Sequence, residues 1–493
     1  MADIHATIPE KGWEREEVLE KMREFRGKDA NYKDGKTWSL VYYLGEEHTQ
    51  FLKDAHNLYF SENGLNPMAF QSLKNFEAEV VRMTANMLHG DGNTVGTMSS
   101  GGTESIFLAV KTYRDRARSQ KPWLLRPELI VPESVHVAFD KACHYLGVKI
   151  IHAPLDKDFG VNLKAVKKLI NRRTIAIVGS APQYPQGVID PIEELGFLAQ
   201  SKGVPLHVDA CLGGFLLPFV EKLGYPIRKF DFRVPGVTSI SADVHKYGYA
   251  SKGASVVVYR DMSYLKHQFY VCERWPGGIY ASPSFPGTRP GGPIAAAWAA
   301  MKAVGEDGYM EYAKKIMEMS KHLQSEINAI DGLQVLGNPA MGAFAYTSTD
   351  RDIDLFAVVD QMSKRGWHIN RQQRPIAAHM MVTPAHIDSH KEFIHDLRES
   401  VAYVASNPQL ASEGSAPMYG LIAKIPFRGM VKKSVLKIME GMYSPEGNIP
   451  DLGDEEPDLA TKIGTSFVQF KDKIDQATED LRDKASEYAG RAV

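Results

Sequence analysis

Short runs of apolar and β-branched residues recur through the middle of the chain, and stretches with helical spacing of apolar residues lie between the earlier runs. The runs are at residues 129–131, 148–151, 175–178, 205–208, 237–240 and 256–259, and the helical stretches are at 134–146, 163–171 and 191–199. Each run is short enough to be a buried strand. The alternation predicts βαβ units, and therefore an α/β fold with a mostly parallel central sheet and helices on both faces.

The pattern changes after this region. Residues 276–293 are dense in Gly and Pro, which indicates an ordered loop, and residues 294–304 form an Ala-rich stretch that is typical of a helix. A smaller α/β domain is predicted beyond that helix. The predicted domains are an N-terminal segment at 1–60, a large domain at 61–305, a small C-terminal domain at 306–445 and a tail at 446–493.

The tail at 446–493 has apolar residues at a spacing close to a heptad, which predicts an amphipathic helix. Its polar face mixes acidic side chains such as Asp472 and Glu479 with basic ones such as Lys473 and Arg482. A helix face that binds a membrane is usually basic. We therefore expect the tail to pack on the body of the protein or on a partner.

Composition and charge narrow the functional classes. The chain has 58 basic and 60 acidic side chains, so its formal charge of −2 gives no reason to expect a nucleic-acid or membrane-surface partner. Cys143, Cys211 and Cys272 are too few and too scattered for a disulfide framework or a CxxC metal site. The N-terminal residues are charged, unlike a signal peptide, and no apolar run approaches the ~20 residues that span a bilayer. We expect a soluble, cytoplasmic protein without a bound metal.

Two candidate catalytic residues lie at the ends of predicted strands, where ligands bind in open α/β sheets. Lys246 follows the run at 237–240, and Asp209 comes directly after the run at 205–208. A partly desolvated lysine beside another cation would have a lowered pKa and could form a Schiff base with an aldehyde cofactor. A buried Asp could hold a pyridinium N–H, which suits pyridoxal 5′-phosphate (PLP). The local sequence also fits a solvated surface lysine and an Asp that caps the following helix.

Two further segments supply the other groups that a PLP site needs. The stretch SSGGTES at 99–105 precedes an apolar helical run, so its first-turn N–H groups and the Thr103 hydroxyl could cradle a phosphate. The alternative is a plain capped helix start, with Ser100 or Thr103 as the N-cap. His136 could stack on the pyridine ring, although a histidine at a helix start is also typical of a satisfied surface or core residue.

These segments, in this order, resemble the group II PLP-dependent decarboxylase family over residues 38–443. Within it they most resemble the sphingosine-1-phosphate lyase branch, in a soluble, bacterial-type form. The resemblance is densest at 99–105, 182–191, 205–219, 230–253 and 277–292. Five long collinear motifs are highly specific, whereas one alone would be weak.

The resemblance implies fold type I of PLP enzymes and an obligate homodimer. Its active sites would lie at the subunit interface. The segment at 1–60 would contribute to the active site and to the dimer. The resemblance assigns Lys246 to the Schiff base, Asp209 to the pyridine nitrogen and His136 to the ring face. The remaining cofactor-binding residues that it implies are Gly102, Thr103, Asp243, His245 and, from the neighbouring subunit, Thr288.

For the phosphate of a substrate, the resemblance implies Lys252 and Tyr43. The histidine that the lyases carry in this pocket is matched here by Asn66. An asparagine can donate a hydrogen bond but cannot carry a charge. Asn66 therefore leaves open how well the protein binds a phosphate and which substrate it takes.

The implied reaction is retro-aldol cleavage of the Cα–Cβ bond of a phosphorylated sphingoid base, which yields a long-chain aldehyde and phosphoethanolamine. Candidate proton carriers are Lys246, Tyr247 and Tyr249. Decarboxylation of an amino acid on the same scaffold stays open, because Lys252 and Tyr43 favour a phosphorylated substrate while Asn66 leaves that choice open. A non-enzymatic binding protein would be expected to lack the lysine or the aspartate, and both are present.

Overall fold

The computed structural model describes residues 6–27, 29–414 and 428–445, which form two compact units. One unit comprises Tyr32–Tyr346 and His379–Ile394, and the other comprises the described parts of 1–31, 347–378 and 395–493. None of the helices among the described residues has both the length and the apolar character to cross a bilayer. The predicted tail helix at 446–493 lies outside the described residues, and the domain bounds at 60, 305 and 445 stay a prediction.

Thirteen strands lie in the described part of the chain. They are β1 (Val95–Ser99), β2 (Glu128–Pro132), β3 (Lys149–Ala153), β4 (Thr174–Ser180), β5 (Leu206–Asp209), β6 (Val237–Ala242), β7 (Ser255–Tyr259), β8 (Tyr270–Cys272), β9 (Tyr280–Ser282), β10 (Leu333–Val335), β11 (Ala343–Ser348), β12 (Asn370–Gln373) and β13 (Ile376–Met381). They form a seven-stranded sheet in the order β1-β7-β6-β5-β4-β2-β3, a four-stranded sheet in the order β10-β11-β13-β12, and the pair β8-β9.

The predicted fold class is confirmed, because the large sheet is parallel except around one strand. β7 is antiparallel to β1 and to β6, and the other neighbours are parallel. The six predicted strands are β2 to β7. Every residue of β2, β4, β6 and β7 is buried, as expected for the interior strands of a covered sheet.

The helices among the described residues are α1 (Arg15–Arg26), α2 (Glu46–Asn57), α3 (Gln71–Met87), α4 (Gly102–Gln120), α5 (Ala138–Leu146), α6 (Leu163–Leu169), α7 (Ile192–Lys202), α8 (Leu217–Lys222), α9 (Met262–Leu265), α10 (Gly291–Asn328), α11 (Leu355–Lys364), α12 (His390–Ser406) and α13 (Arg428–Met442). Short 3₁₀ turns lie at Pro384–His386 and Pro408–Ser412. Helices α6 and α7 lie where the apolar spacing predicts them.

Two predicted helices begin elsewhere. Helix α5 begins at Ala138, because the residues before it form a turn in which the amide of Val135 donates to the carbonyl of Pro132 at 3.1 Å. Helix α10 begins at Gly291, inside the Gly/Pro stretch, and is broken at Gly305, where φ is 62°. A φ in this range is accessible to glycine at little cost. The rest of the Gly/Pro stretch includes strand β9.

The carboxyl ends of β1, β4, β5 and β6 lie at one edge of the large sheet. β1 runs parallel to β6 because both strands are antiparallel to β7. In register, Asp209 at the end of β5 pairs with Ser180 of β4 and Ser241 of β6. Polar side chains from distant parts of the chain therefore meet at this edge, as the strand-end rule for open sheets predicts.

Candidate active site

Lys246 lies on the loop that follows β6 and forms an ion pair with Asp243. Its Nζ is 2.9 Å from Oδ2 of this carboxylate, which is buried. Burial lowers the pKa of the Lys246 ammonium, but the charge and the hydrogen bond of Asp243 outweigh burial and leave this pKa raised. The expected lowering by a neighbouring cation is therefore wrong for this structure, because the charge in contact is an anion. Lys246 is not a solvated surface lysine.

Asp209 ends β5 and is almost completely buried. Its Oδ1 accepts hydrogen bonds from the amide of Cys211 at 3.1 Å and from the hydroxyl of Ser241 at 3.3 Å. The next helix, α8, begins only at Leu217, so Asp209 does not cap it. The carboxylate therefore belongs to the polar side chains at this edge of the sheet. Burying a carboxylate without a partner is costly, so a cationic partner would be favourable here.

The N-terminus of α4 lies against the loop that carries Lys246. A Cβ on Gly102, the first residue of α4, would lie 2.6 Å from Oδ2 of Asp243 and 3.0 Å from Sγ of Cys211. The N-cap residue is Gly101, and no side chain caps this end, so neither Ser100 nor Thr103 acts as the cap. The first-turn N–H groups of a helix of this length form an anion-binding position.

Glu104 is a structural residue of the same motif that the sequence does not single out. Its Oε2 accepts from both the amide and the hydroxyl of Ser100 at 2.7 Å, and its Oε1 accepts from the amide of Phe285 at 3.0 Å. Glu104 thereby fixes the turn before α4 and ties it to the Gly/Pro stretch. The sequence signal for this role is an acidic residue in the first turn of a helix.

His136 is exposed, and its Nδ1 accepts from the amide of Ala138 at 3.2 Å. Its ring lies edge-on to Tyr184, with the ring centroids 6.5 Å apart, and Tyr184 packs on the buried His379 at 4.1 Å. Tyr184 lies on a tight turn whose Gly187 has a φ of 71° and approaches Ala343 closely. Tyr184 lies within the motif at 182–191, which assigns it no role, and His379 lies outside all five motifs.

Lys252 reaches the segment before α2. Its Nζ donates to the carbonyl of Leu40 at 2.7 Å and lies 5.2 Å from the ring centroid of Tyr42. Burial and the charge of Lys246 lower the pKa of the Lys252 ammonium. The hydroxyl of Tyr43 instead donates to Glu46 at 2.7 Å. The structure thus places Tyr42 beside Lys252 and does not bring Tyr43 to it.

Tyr247 and Tyr249 are both fully or almost fully buried, and burial raises the pKa of both hydroxyls. The hydroxyl of Tyr247 donates to the carbonyl of Val382 at 3.0 Å, and its ring packs edge-on to Tyr42 at 5.0 Å. The ring of Tyr249 packs on that of Tyr309. A tyrosine with a raised pKa keeps its hydroxyl protonated near neutral pH, so these two residues suit orientation better than proton abstraction.

Asn66 and Thr288 lie elsewhere on the same unit. The side-chain oxygen of Asn66 accepts from the amides of Met68 and Ala69 at 3.0 and 3.3 Å. Thr288 accepts a hydrogen bond at 3.4 Å from Asn63. In the described residues, neither shares a hydrogen bond with Lys246, so one chain alone does not join them to the cluster.

The groups at the sheet edge fit PLP. Lys246 supplies an amine, Asp209 an anion, and the start of α4, which Gly102 lets approach Asp243 closely, supplies backbone N–H groups. Nδ1 of His245, which is buried, has no hydrogen-bond partner among the described residues. Such an orphaned polar atom is costly unless a ligand satisfies it. Burial lowers the pKa of His245, which favours its neutral form.

Comparison with known proteins places the chain among PLP enzymes. Residues 60–348 match the pyridoxal-dependent decarboxylase conserved domain. The sphingosine-1-phosphate lyase of Arabidopsis thaliana is 48% identical over 435 residues, which are 87% of this chain and 79% of the relative. The enzyme of the same name from Dictyostelium discoideum is 43% identical over 90% of this chain and 83% of its own length.

Solved structures of related enzymes resemble this chain as well. The sphingosine-1-phosphate lyase of Burkholderia pseudomallei has a TM-score of 0.81 and 38% identity, and the match covers 89% of this chain and 97% of that one. Glutamate decarboxylase of Lactobacillus brevis has a TM-score of 0.71 at 22% identity, with 81% and 95% covered. The second likeness concerns the fold alone.

Proposed function

This chain belongs to the pyridoxal-dependent decarboxylase family, and we propose that it is a PLP-dependent carbon–carbon lyase for phosphorylated sphingoid bases. It cleaves the Cα–Cβ bond of the substrate to a long-chain aldehyde and phosphoethanolamine. The observation that carries the proposal is that Lys246, Asp209 and the start of α4 meet at one sheet edge with Lys252 nearby. The chain is similar to lyases with this substrate in their names over most of its length.

Each residue has a task that its surroundings support. Lys246 would hold the cofactor through its amine, and Asp209 would hold the pyridine nitrogen. The first-turn N–H groups of Gly102 and Thr103, with His245, bind the cofactor phosphate. Asp243 is the counter-ion that forms the ion pair with the Lys246 ammonium.

The chemistry divides between cofactor and protein. When bound, the cofactor supplies an aldehyde for the substrate amine and an electron sink for the pair released from the Cα–Cβ bond. Lys246 is the proton carrier that we assign, because its amine lies at the sheet edge beside Asp243, whereas burial keeps the hydroxyls of Tyr247 and Tyr249 protonated. His136 covers the ring face, and Lys252 binds the substrate phosphate by a charge-assisted hydrogen bond.

Replacing Lys246 tests the assignment directly. Lys246→Ala should lose the yellow absorbance of the lysine-bound cofactor, and turnover should fall by at least about a thousandfold because covalent catalysis is lost. Absorbance spectra and an aldehyde assay measure the two effects. A Lys202→Ala variant, at the exposed end of α7, serves as the control. An alanine variant at 246 that keeps both signals would contradict the assignment.

The substrate class needs its own assay. The loaded protein is incubated with a phosphorylated sphingoid base or with common amino acids, and aldehyde and carbon dioxide are both measured. We expect aldehyde from the phosphorylated lipid only. Carbon dioxide from an amino acid would identify a decarboxylase on the same scaffold, which the uncharged Asn66 leaves as the competing outcome.

We also infer a homodimer that works in the cytoplasm, with Tyr43, Asn66 and Thr288 directed to the site of the neighbouring subunit. Large apolar side chains stay exposed in one chain along 58–68 and 269–285. Such patches on a soluble protein mark interaction surfaces. The three cysteines are free thiols, which suits a reducing compartment.

A further inference from the structure

A continuous chain of buried hydrogen bonds ends on the carboxylate of Asp209. The hydroxyl of Tyr113 is 2.5 Å from Oγ of Ser239, and that Oγ is 2.7 Å from Nδ1 of His207. Nε2 of His207 is 3.3 Å from Oγ of Ser241, which donates to Oδ1 of Asp209 at 3.3 Å. All five side chains are buried. Apolar residues would fill this space without the cost of desolvating polar groups, so the chain calls for a functional reason.

The strand register builds this arrangement. His207 and Asp209 are two residues apart on β5, so their side chains lie on the same face of the sheet. Their register partners on β6 are Ser239 and Ser241. Tyr113 comes from α4, the helix whose N-terminus lies beside the Lys246 loop. The network thus joins the candidate phosphate-binding helix to the candidate pyridine-binding carboxylate.

The protons in this network have one consistent direction. An ionised Asp209 only accepts, so Ser241 donates to it and must itself accept from Nε2–H of His207. Nδ1 of His207 then accepts from Ser239. The hydroxyl of Tyr113, which lies beside both Ser239 and Oγ1 of Thr238 at 2.7 Å, closes the far end of the network. This order requires a neutral imidazole, and burial lowers the pKa of His207 to about 4.

Both hydrogen bonds that Asp209 accepts from the described residues end on one oxygen. Oδ1 takes the bonds from Ser241 and from the amide of Cys211. The thiol of Cys211 adds a weak bond to Oγ of Ser241 at 3.4 Å. The protein therefore secures the Oδ1 side of the carboxylate and leaves Oδ2 for a ligand.

We propose that His207 is a positioning residue for the cofactor: acting through Ser241, it holds the Asp209 carboxylate with Oδ2 directed to the pyridine nitrogen. The inference rests on the proposed function, because it takes Asp209 as the partner of that nitrogen. His207 does not touch the cofactor, so its effect is on the orientation of Asp209.

Three variants and one control test the network. Ser241→Ala and His207→Phe remove the link, and His207→Gln keeps an N–H donor near the position of Nε2. Ser320→Ala removes a buried hydroxyl that bonds to the carbonyl of Met341, outside the network. The readouts are the cofactor dissociation constant and the pH at which the absorbance of the lysine-bound cofactor titrates.

We expect Ser241→Ala and His207→Phe to bind the cofactor about tenfold more weakly, the factor that one hydrogen bond to a charged group supports. The absorbance titration should move to a different pH in both, His207→Gln should recover most of the loss, and Ser320→Ala should match the wild type. Wild-type affinity and an unmoved titration in Ser241→Ala and His207→Phe would overturn the inference.

A measurement on the unmodified chain covers the case in which a variant fails to fold. Nitrogen-15 NMR of His207 should report the neutral form with the proton on Nε2 from about pH 6 to pH 8. A proton on Nδ1, or a cationic ring, would contradict the proposed order. If the wild type forms no lysine-bound cofactor at all, the proposed function fails, which is a different result from wild-type behaviour in the variants.

Discussion

At the scale of single residues, the charges of the site side chains depend on contacts that the sequence predicts only in part. The types and strand-end positions of Lys246 and Asp209 are readable, because strand ends follow from the apolar pattern. The pairing of Lys246 with Asp243 is not, since it depends on which side chains a loop turns inward. Tyr42 is missed for the same reason, because adjacent Tyr42 and Tyr43 look alike in sequence but bond to different partners.

Lys252 offers a test at this scale. Lys252→Gln removes the charge that would bind the substrate phosphate, so KM for the phosphorylated base should rise about tenfold with a smaller change in kcat. The cofactor spectrum should not change. Steady-state kinetics measure the split, with Lys121→Gln on the exposed loop after α4 as the control. An unchanged KM would remove Lys252 from the substrate site.

At the scale of elements, the apolar pattern predicts β2 to β7 because buried strands of a parallel sheet are apolar on both faces. It does not predict β1, since Val95–Ser99 contains Gly, Thr and Ser, and the strand gains its place from pairing with β7. It also misses the start of α10 at Gly291. There a Cβ would lie 2.9 Å from the carbonyl of Tyr59, a close approach that only the folded chain reveals.

The buried ion pair between α3 and the segment before α10 gives a prediction for stability. Both oxygens of Glu77 bond to the guanidinium of Arg289, at 2.8 and 3.2 Å, and Oε1 also accepts from the amide of Met98. Glu77→Gln leaves Arg289 buried without its counter-charge, so the free energy of unfolding should fall by about 3 kcal/mol.

Urea unfolding measures this loss. Glu79→Gln, an exposed position on the same helix, is the matched control and should leave the unfolding midpoint nearly unchanged. Equal midpoints for Glu77→Gln and the control would show that the pair does not hold these segments together.

At the scale of the whole molecule, the site combines segments that are far apart in sequence. Nζ of Lys252 bonds to the carbonyl of Leu40, 212 residues away. Local patterns carry no information about such contacts, and the resemblance to a family implied only that Lys252 belongs to the site. The same limit applies to the proposed homodimer, because the roles proposed for Asn66 and Thr288 depend on a neighbouring chain.

The homodimer is tested by charging the exposed apolar segment at 269–285. Trp275→Asp combined with Ile279→Asp places two carboxylates where burial is expected, so the dimer should dissociate and cofactor retention should fall. Sedimentation equilibrium measures the mass. Phe197→Asp, also exposed but on α7, should stay dimeric. A wild-type protein that sediments as a monomer would refute the proposal.

The close approach of Gly187 to Ala343 has a consequence for mutant libraries built on this turn. A Cβ at Gly187 would lie 1.8 Å from the carbonyl oxygen of Ala343, so any other residue there must push two backbones apart. Tyr184, three residues earlier on the same turn, is only partly buried. Mutant libraries that vary Tyr184 but keep Gly187 should therefore yield many folded proteins, whereas libraries that vary both should yield mostly unfolded ones.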